Sequence, residues 1–104
     1  MGTDIHIYVE LRGEDGDWIQ VGVCEKGYRN YRLWGKWDEI GHQGLPDDLG
    51  YGVRFVKSEN EYYFGWHWLP MEEFYALKKS EEFLPKIYKK SMYPDLRVIW
   101  CYDN

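Results

Sequence analysis

Asp4 and His6 stand near the start of the chain, and their types and spacing could do chemistry. They belong to a run, residues 4–12, in which polar even positions alternate with apolar odd positions. Because successive side chains point to opposite faces of a strand, the run predicts a strand over residues 3–12 with a core face and a polar face. Asp4 and His6 would share the polar face, about 6.5–7 Å apart. A carboxylate beside an imidazole can ligate a metal, form an acid–base pair or hold a ligand, and the two residues alone leave these three open.

Five residues farther along the chain could complete a site with this pair. They are a cation, two acids, an imidazole and an indole: Arg29, Asp47, Asp48, His67 and Trp68. In the interpretation that we favour, His6 and His67 act as general acid and base, and Arg29 neutralises an anionic ligand. Asp4 and Asp47 would also contact this ligand, and an aromatic ring such as Trp68, Trp66 or Tyr31 would stack on it.

A metal site is the alternative interpretation of the same residues. His6, His67 and Asp4, with one aspartate of 47–48, would give the mixed nitrogen and oxygen ligands that suit zinc, manganese or iron. Each residue also has a purely structural explanation, such as a surface ion pair for Arg29 or a turn and helix cap for 47–48. We assign no metal ligands, and the sequence has no phosphate-binding loop or dinucleotide motif that would identify a cofactor.

The length, charge and cysteines of the chain limit the classes of protein to which it can belong. Its 104 residues fit one domain, residues 1–104. A net charge of −5 argues against general nucleic-acid binding and suits docking on a basic host surface. The lysines at 78–79 and 86–90 are expected on a solvated face, and Cys24 and Cys101 are expected to be buried free thiols. Without a leader or a run of ~20 apolar residues, the sequence predicts a cytoplasmic protein with no membrane partner.

The order of predicted elements is β-β-(α)-loop-β-α-α-β. This order favours an α+β fold, a mostly antiparallel sheet with an N-terminal hairpin, a C-terminal strand and helices packed on one face. The second strand of the hairpin covers 18–24, with Ile19, Val21 and Val23 on the core face. A short helix is predicted over 31–37, a loop over 41–52, and short strands or ordered loop over 53–56 and 61–66. Helices are predicted from Pro70 and from residue 80 to about 90, before a closing strand over 96–102.

Four segments, taken in order, resemble small, mostly uncharacterised proteins of tailed phages and prophages that open with Met-Gly-x-Asp-Ile-His. The segments are Met1-Gly2-Thr3-Asp4-Ile5-His6, Arg29-Asn30-Tyr31, Gly44-Leu45-Pro46-Asp47-Asp48, and His67-Trp68-Leu69 before Glu72-Glu73. The resemblance spans roughly residues 1–75. The family carries a second histidine two positions before the one that matches His67, where this chain has Gly65.

The resemblance implies a phage-type accessory protein whose polar candidates gather around one place: Asp4, His6, Arg29, Asp47, Asp48 and His67. Such proteins commonly disarm host defences by inhibiting a protein or by binding or degrading a nucleotide signal. Our leading hypothesis is a host-defence antagonist with a polar pocket for an anionic, nucleotide-like ligand, with hydrolysis of that ligand left open. The alternatives are a non-enzymatic inhibitor that binds a host protein through an acidic, aromatic surface, and a small metal-dependent hydrolase.

Overall fold

Five antiparallel strands form one sheet in the order β2-β1-β5-β4-β3, in a computed structural model that describes residues 2–25 and 29–104. The strands are β1 (Asp4–Arg12), β2 (Trp18–Glu25), β3 (His42–Gln43), β4 (Phe64–Pro70) and β5 (Leu96–Asp103). The helices are α1 (Tyr31–Ile40), α2 (Tyr51–Glu59) and α3 (Met71–Ala76), with 3₁₀ turns at Ser80–Glu82 and Lys90–Asp95. The predicted α+β class, N-terminal hairpin and closing strand are confirmed.

Two hydrophobic cores lie on the two faces of this sheet. On the first face, the odd residues of β1 pack with α1 and α3, through side chains such as Trp37 and Phe74. On the second face, Tyr8 of β1 and Ile99 of β5 stand opposite each other and pack with Val53 of α2. The helices α1 and α3, which the sequence predicts, pack on one face as expected, and α2, which it does not predict, covers the even positions of β1 on the other face.

Residues 51–59 form the helix α2, where the sequence predicts the end of a loop and a short strand or ordered loop. Val53 and Val56 are β-branched, and such residues favour strands when only a few positions are considered. In the helix they stand three residues apart on one side, and both pack into the second core. Burial against the sheet therefore outweighs their local preference.

The edge strand β2 also differs from the prediction, since Ile19, Val21 and Val23 are exposed rather than in the core. The pairing of β1 with β2 shifts after Val9, where Val21 is left as the extra residue of a β-bulge. Residues 22 and 24 then stand opposite the core positions 9 and 7 of β1. A slip of one residue moves every later side chain to the other face of the sheet. Alternation along the sequence does not show where such a slip occurs, because it depends on how β2 pairs with β1.

The segment between β4 and β5 is less helical than predicted. The helix α3 begins directly after Pro70, as predicted, with two glutamates in its first turn. The helix predicted over 80–90 is reduced to the 3₁₀ turn Ser80–Glu82. Pro85 explains this difference, because proline lacks the N–H that a helix needs and disfavours the helical conformation of the residue before it.

A buried ion pair joins the two central strands on the second face. Glu10 of β1 is fully buried, Arg97 of β5 is 3% exposed, and Nη2 of Arg97 lies 2.7 Å from Oε1 of Glu10. The other carboxylate oxygen of Glu10 accepts the backbone N–H of Gly50 at 2.9 Å, directly before α2. Nη1 of Arg97 donates to Oδ1 of Asp48 at 2.8 Å, and its guanidinium lies 3.7 Å from the centroid of the Trp18 ring. One cluster thus holds β1, β5, β2 and the start of α2 together.

Arg97→Ala should lower the free energy of unfolding by about 3–5 kcal/mol, because it leaves Glu10 buried without its partner. Arg12→Ala is the matched control, since Arg12 and Asp95 form an exposed pair at 2.7 Å and such pairs contribute about 1 kcal/mol or less. Adding Glu10→Gln to Arg97→Ala removes the unpaired charge and should recover part of the loss. Urea unfolding measures each variant, and equal losses from Arg97→Ala and Arg12→Ala would contradict the role of the pair.

Candidate functional site

Asp4 and His6 share the second face of β1, as their spacing predicts. The register places Asp4 opposite Asp103 and His6 opposite Cys101. The two residues belong to separate pairs, because Oδ1 of Asp4 accepts from Nη2 of Arg29 at 2.9 Å and Nε2 of His6 donates to Oδ2 of Asp103 at 2.6 Å. The carboxylate partner of His6 is therefore Asp103, which the sequence analysis missed. No pattern points to Asp103 until the register between β1 and β5 is known.

The imidazole of His6 lies face to face with the ring of Tyr63, just before β4. The ring centroids are 4.4 Å apart and the planes differ by 14°. His6 is buried and Tyr63 is half-buried, so the stack is partly shielded from water. The bond to Asp103 and this stack fix the orientation of the imidazole. His6 therefore holds the ring of Tyr63 in place from the side of the sheet.

His67 is on the first face, where it stands opposite Trp100 of β5. The two rings are nearly parallel at 5.8 Å, and Nδ1 of His67 donates to the carbonyl of Gly65 at 2.9 Å. The same nitrogen lies 3.5 Å from Asp38 of α1, whose carboxylate accepts from Trp100 and from Tyr102, both at 2.8 Å. Burial, followed by the Asp38 carboxylate, raises the pKa of Tyr102 far above its ordinary value, so the phenol stays a neutral donor.

The structure does not bring His6 and His67 together, because they lie on opposite faces of the sheet. This placement contradicts the interpretation in which both act on one ligand as general acid and base. The register of β4 against β5 shifts between Phe64 and His67, and Gly65 within this stretch has a φ of +67°. The shift sets the side of the sheet on which His67 emerges, and alternation along the sequence does not reveal it.

Both aspartates in the glycine-rich segment are exposed, and Asp48 makes side-chain contacts with Arg97 and Trp18. The carboxylate of Asp48 accepts from Arg97 at 2.8 Å and from Nε1 of Trp18 at 2.9 Å. The bond from Arg97 is the largest cause that lowers the pKa of Asp48 below its ordinary value. Asp48 therefore lies at the exposed edge of the cluster around Arg97, and Asp47 is not among the residues that line the pocket described below.

Trp68 stacks on His42 where β3 pairs with β4. The two residues are direct partners in the register, and their ring centroids are 4.3 Å apart. The indole also packs against the second core and lies 5.7 Å from the guanidinium of Arg97. Trp68 thus covers one edge of the second face, in contrast to the predicted stacking on a ligand.

An open pocket of about 510 Å³ lies on the second face, beside α2. The helix contributes two cations, Arg54 and Lys57, and the segment that leads into β4 contributes two partly exposed rings, Tyr63 and Trp66. Glu61 is the acid in its lining. We call this the ligand pocket, because its volume lies in the range of small-molecule sites and a few polar groups converge on it.

Side chains at even positions of β1 stack on the rings of the ligand pocket, on the side of the rings that faces the sheet. His6 stacks on Tyr63, and Tyr8 stacks on Trp66 with centroids 6.2 Å apart. Arg54 donates from Nη2 to the carbonyl of Leu49 at 2.8 Å, which ties this cation to the start of α2. The two predicted positions on β1 that could do chemistry therefore act in different places, Asp4 at the strand end and His6 beneath the pocket.

The sequence analysis missed Arg54 and Lys57 as candidates. Their spacing of three residues is a usable signal, since side chains three apart lie on the same side of a helix. The signal appears only when residues 51–59 are taken as a helix, whereas Val53 and Val56, each next to one of these cations, favour a strand. Trp66, by contrast, is one of the rings that the sequence offers for stacking, and it lines the pocket while Trp68 does not.

Comparison of the chain with protein-family models, with curated proteins and with solved structures gave no match. Among residues 2–25 and 29–104, no three His, Cys, Asp or Glu side chains are grouped so that they could hold a metal ion. Cys101 is buried and Cys24 half-buried, and neither forms a disulfide within the described residues. In the same part of the chain, no helix has the length and apolar character needed to cross a membrane.

Asp48→Asn should change how stability depends on pH. The folded-state pKa of Asp48 is lowered, so its contribution is present above the unfolded pKa and is lost as pH falls through the folded pKa. The variant should melt below the native protein near pH 7, and the difference should shrink once the pH is below about 4. Asp47→Asn is the matched control, expected to follow the native protein at each pH. A difference for Asp48→Asn that is constant over the whole range would contradict the assignment.

Proposed function

We propose that this chain is a phage-type accessory protein that acts in the host cytoplasm as a host-defence antagonist and binds an anionic, nucleotide-like ligand. The observation that carries the proposal is the meeting of two cations and two aromatic rings in the ligand pocket. Phosphate oxygens require positive donors and a nucleobase requires a flat apolar surface. The pocket offers both within about 510 Å³.

The cations suit the phosphate part of such a ligand. Arg54 presents a planar guanidinium that can bond two oxygens at once, and Lys57 adds a mobile point charge. In the part of the chain that the structure describes, neither side chain forms an ion pair. Their charges therefore remain available in a protein whose net charge is −5.

The rings suit the base. Stacking of one base on an aromatic side chain contributes about 1–3 kcal/mol and tolerates different bases. Tyr63 and Trp66 are already held by His6 and Tyr8, so a ligand would not have to order them on binding. The carboxylate of Glu61 can accept an N–H of a base edge, which would give the pocket some selectivity.

The proposal is for binding and sequestration of the ligand rather than for its hydrolysis. His6 is engaged by Asp103 and by Tyr63 beneath the pocket, and His67 lies on the other face. General acid–base work requires groups within hydrogen-bond reach of the reacting atoms. The pocket lining contains no imidazole or thiol in such a position.

Nucleotide binding by the intact protein tests this proposal. Calorimetry measures the binding of a panel of mononucleotides and cyclic dinucleotides. At least one of them should bind and should be recovered unchanged. Trp66→Ala should weaken its binding about 5- to 100-fold, as loss of one stacked base implies. Lys57→Glu should also weaken binding. It should make the salt dependence of binding less steep, because one phosphate contact is lost.

Tyr62→Ala is the matched control, because Tyr62 is an exposed neighbouring ring outside the lining of the ligand pocket. This variant should bind as the native protein does. Unchanged affinity in both Trp66→Ala and Lys57→Glu would place the site elsewhere, and no binding by any member of the panel would argue against a nucleotide-like ligand.

A host-protein inhibitor is the second candidate, favoured by a stacked and exposed aromatic pair on α2. Tyr51 and Phe55 are 81% and 52% exposed, with ring centroids 6.4 Å apart. Exposed tyrosine and phenylalanine side chains are enriched in protein interfaces. Tyr51→Ala/Phe55→Ala should then abolish antagonism in a cell-based assay while leaving nucleotide binding unchanged, whereas the leading proposal expects the reverse for Trp66→Ala.

A further inference from the structure

A second cleft, of about 450 Å³, lies between α1 and the turn that follows α3. Its charged lining consists of cations, and no acidic side chain is among the residues that line it: Arg32, Lys36, Lys78 and Lys79. In the described part of the chain, none of these four forms an ion pair. We call this the basic cleft. In a protein of net charge −5, such a concentration of positive charge favours an anionic partner.

The floor of the basic cleft is aliphatic. Leu33, Ala76 and Leu77 line it between the cations, and no aromatic ring does. A nucleobase would therefore find no ring to stack on, in contrast to the ligand pocket beside α2. Three of the four cations are lysines, which act as hydrated point charges and lack the planar fork that recognises phosphate in two bonds.

The two walls carry their charges at a spacing that matches an extended chain. Arg32 and Lys36 are four residues apart on α1, about 6 Å along the helix axis. In an extended peptide, side chains on one face recur at about 6.5–7 Å. Two acidic residues of such a peptide can thus meet the two cations of α1, while the side chain between them points elsewhere.

The other wall is a turn in which Lys79 adopts an unusual conformation. Lys79 has φ +74° and ψ 0°, and among described residues it alone has a positive φ without being glycine. The turn is closed by a bond from the N–H of Ser80 to the carbonyl of Leu77, and its third position ordinarily favours glycine or asparagine. A strained lysine thus stands at the rim of the basic cleft. Strain of this kind recurs at functional sites.

We infer that the basic cleft binds an acidic segment of a partner protein. The acidic side chains of the segment would pair with the cations on both walls, and one apolar side chain would lie on the aliphatic floor. Because the lining contains cations and no acid, its charge is complementary to that of an acidic segment. The strain at Lys79 does not favour folding, so we attribute it to binding. This inference does not rest on the nucleotide-like ligand, because the two sites share no residue.

Fluorescence anisotropy with a labelled synthetic peptide tests the inference on the full chain. The probe is a ten-residue peptide of alternating glutamate and serine with one central leucine. Its binding should weaken as salt is raised. A peptide with glutamine for glutamate should not bind, and one with glycine for leucine should bind more weakly, because charge and the apolar contact both contribute.

Lys79→Gly separates binding from folding. Glycine relieves the strained conformation, so the melting temperature should be unchanged or higher, although the more flexible unfolded chain offsets part of the gain. Loss of one exposed pair should weaken peptide binding about two- to fivefold. Lys36→Glu on the opposite wall should weaken it by roughly tenfold, since attraction is replaced by repulsion.

Lys89→Glu is the matched control, because Lys89 is an exposed lysine outside the basic cleft. It should bind the peptide as the native protein does. Equal weakening in Lys89→Glu and Lys36→Glu would mean that only net charge matters and would overturn the inference. Displacement of the peptide by equimolar tripolyphosphate would overturn it too, since the cleft would then be a site for small anions.

Discussion

The buried pair of Glu10 and Arg97 is the constraint on which the second face depends. Each charge loses hydration worth several kcal/mol, and mutual attraction offsets this loss only when the other polar atoms are also bonded. Gly50, Asp48 and the Trp18 ring meet that requirement from separate parts of the chain. Because α2 begins at the amide that Glu10 accepts, the same pair fixes where the helix starts and hence where its cations stand.

A strand could be predicted from the sequence where its hydrophobic pattern is typical of a strand alone. The alternation in β1 and the apolar run of β5 identified both central strands and the α+β class. The same alternation also placed Tyr8 and Glu10 on a polar face, and both are buried under α2. A repeat of two residues shows which side chains share a face of the sheet. It does not state whether a helix covers that face, because this depends on residues forty positions away.

The candidate site was less predictable, because it depends on register as well as on residue type. Asp4 and His6 do share a face, but a shift in the pairing of β4 puts His67 on the other side of the sheet. Asp103 reaches His6 only through the pairing of the first strand with the last. Arg54 and Lys57 were hidden by the valines beside them, whose branched side chains favour a strand. Chemistry-bearing residues were visible in the sequence, and their convergence was not.

The bulge at Val21 has a consequence for the behaviour of the protein at high concentration. The edge strand β2 exposes three aliphatic side chains and carries no charge between residues 18 and 24. A regular strand of this composition would be a template for another chain, and such templates lead to fibrillar aggregation. The extra residue interrupts the repeat of backbone donors and acceptors and places Ile19 and Val23 on opposite faces. A second molecule therefore meets no continuous ladder or apolar row along this edge, and such an interruption disfavours edge-to-edge pairing between copies of the protein.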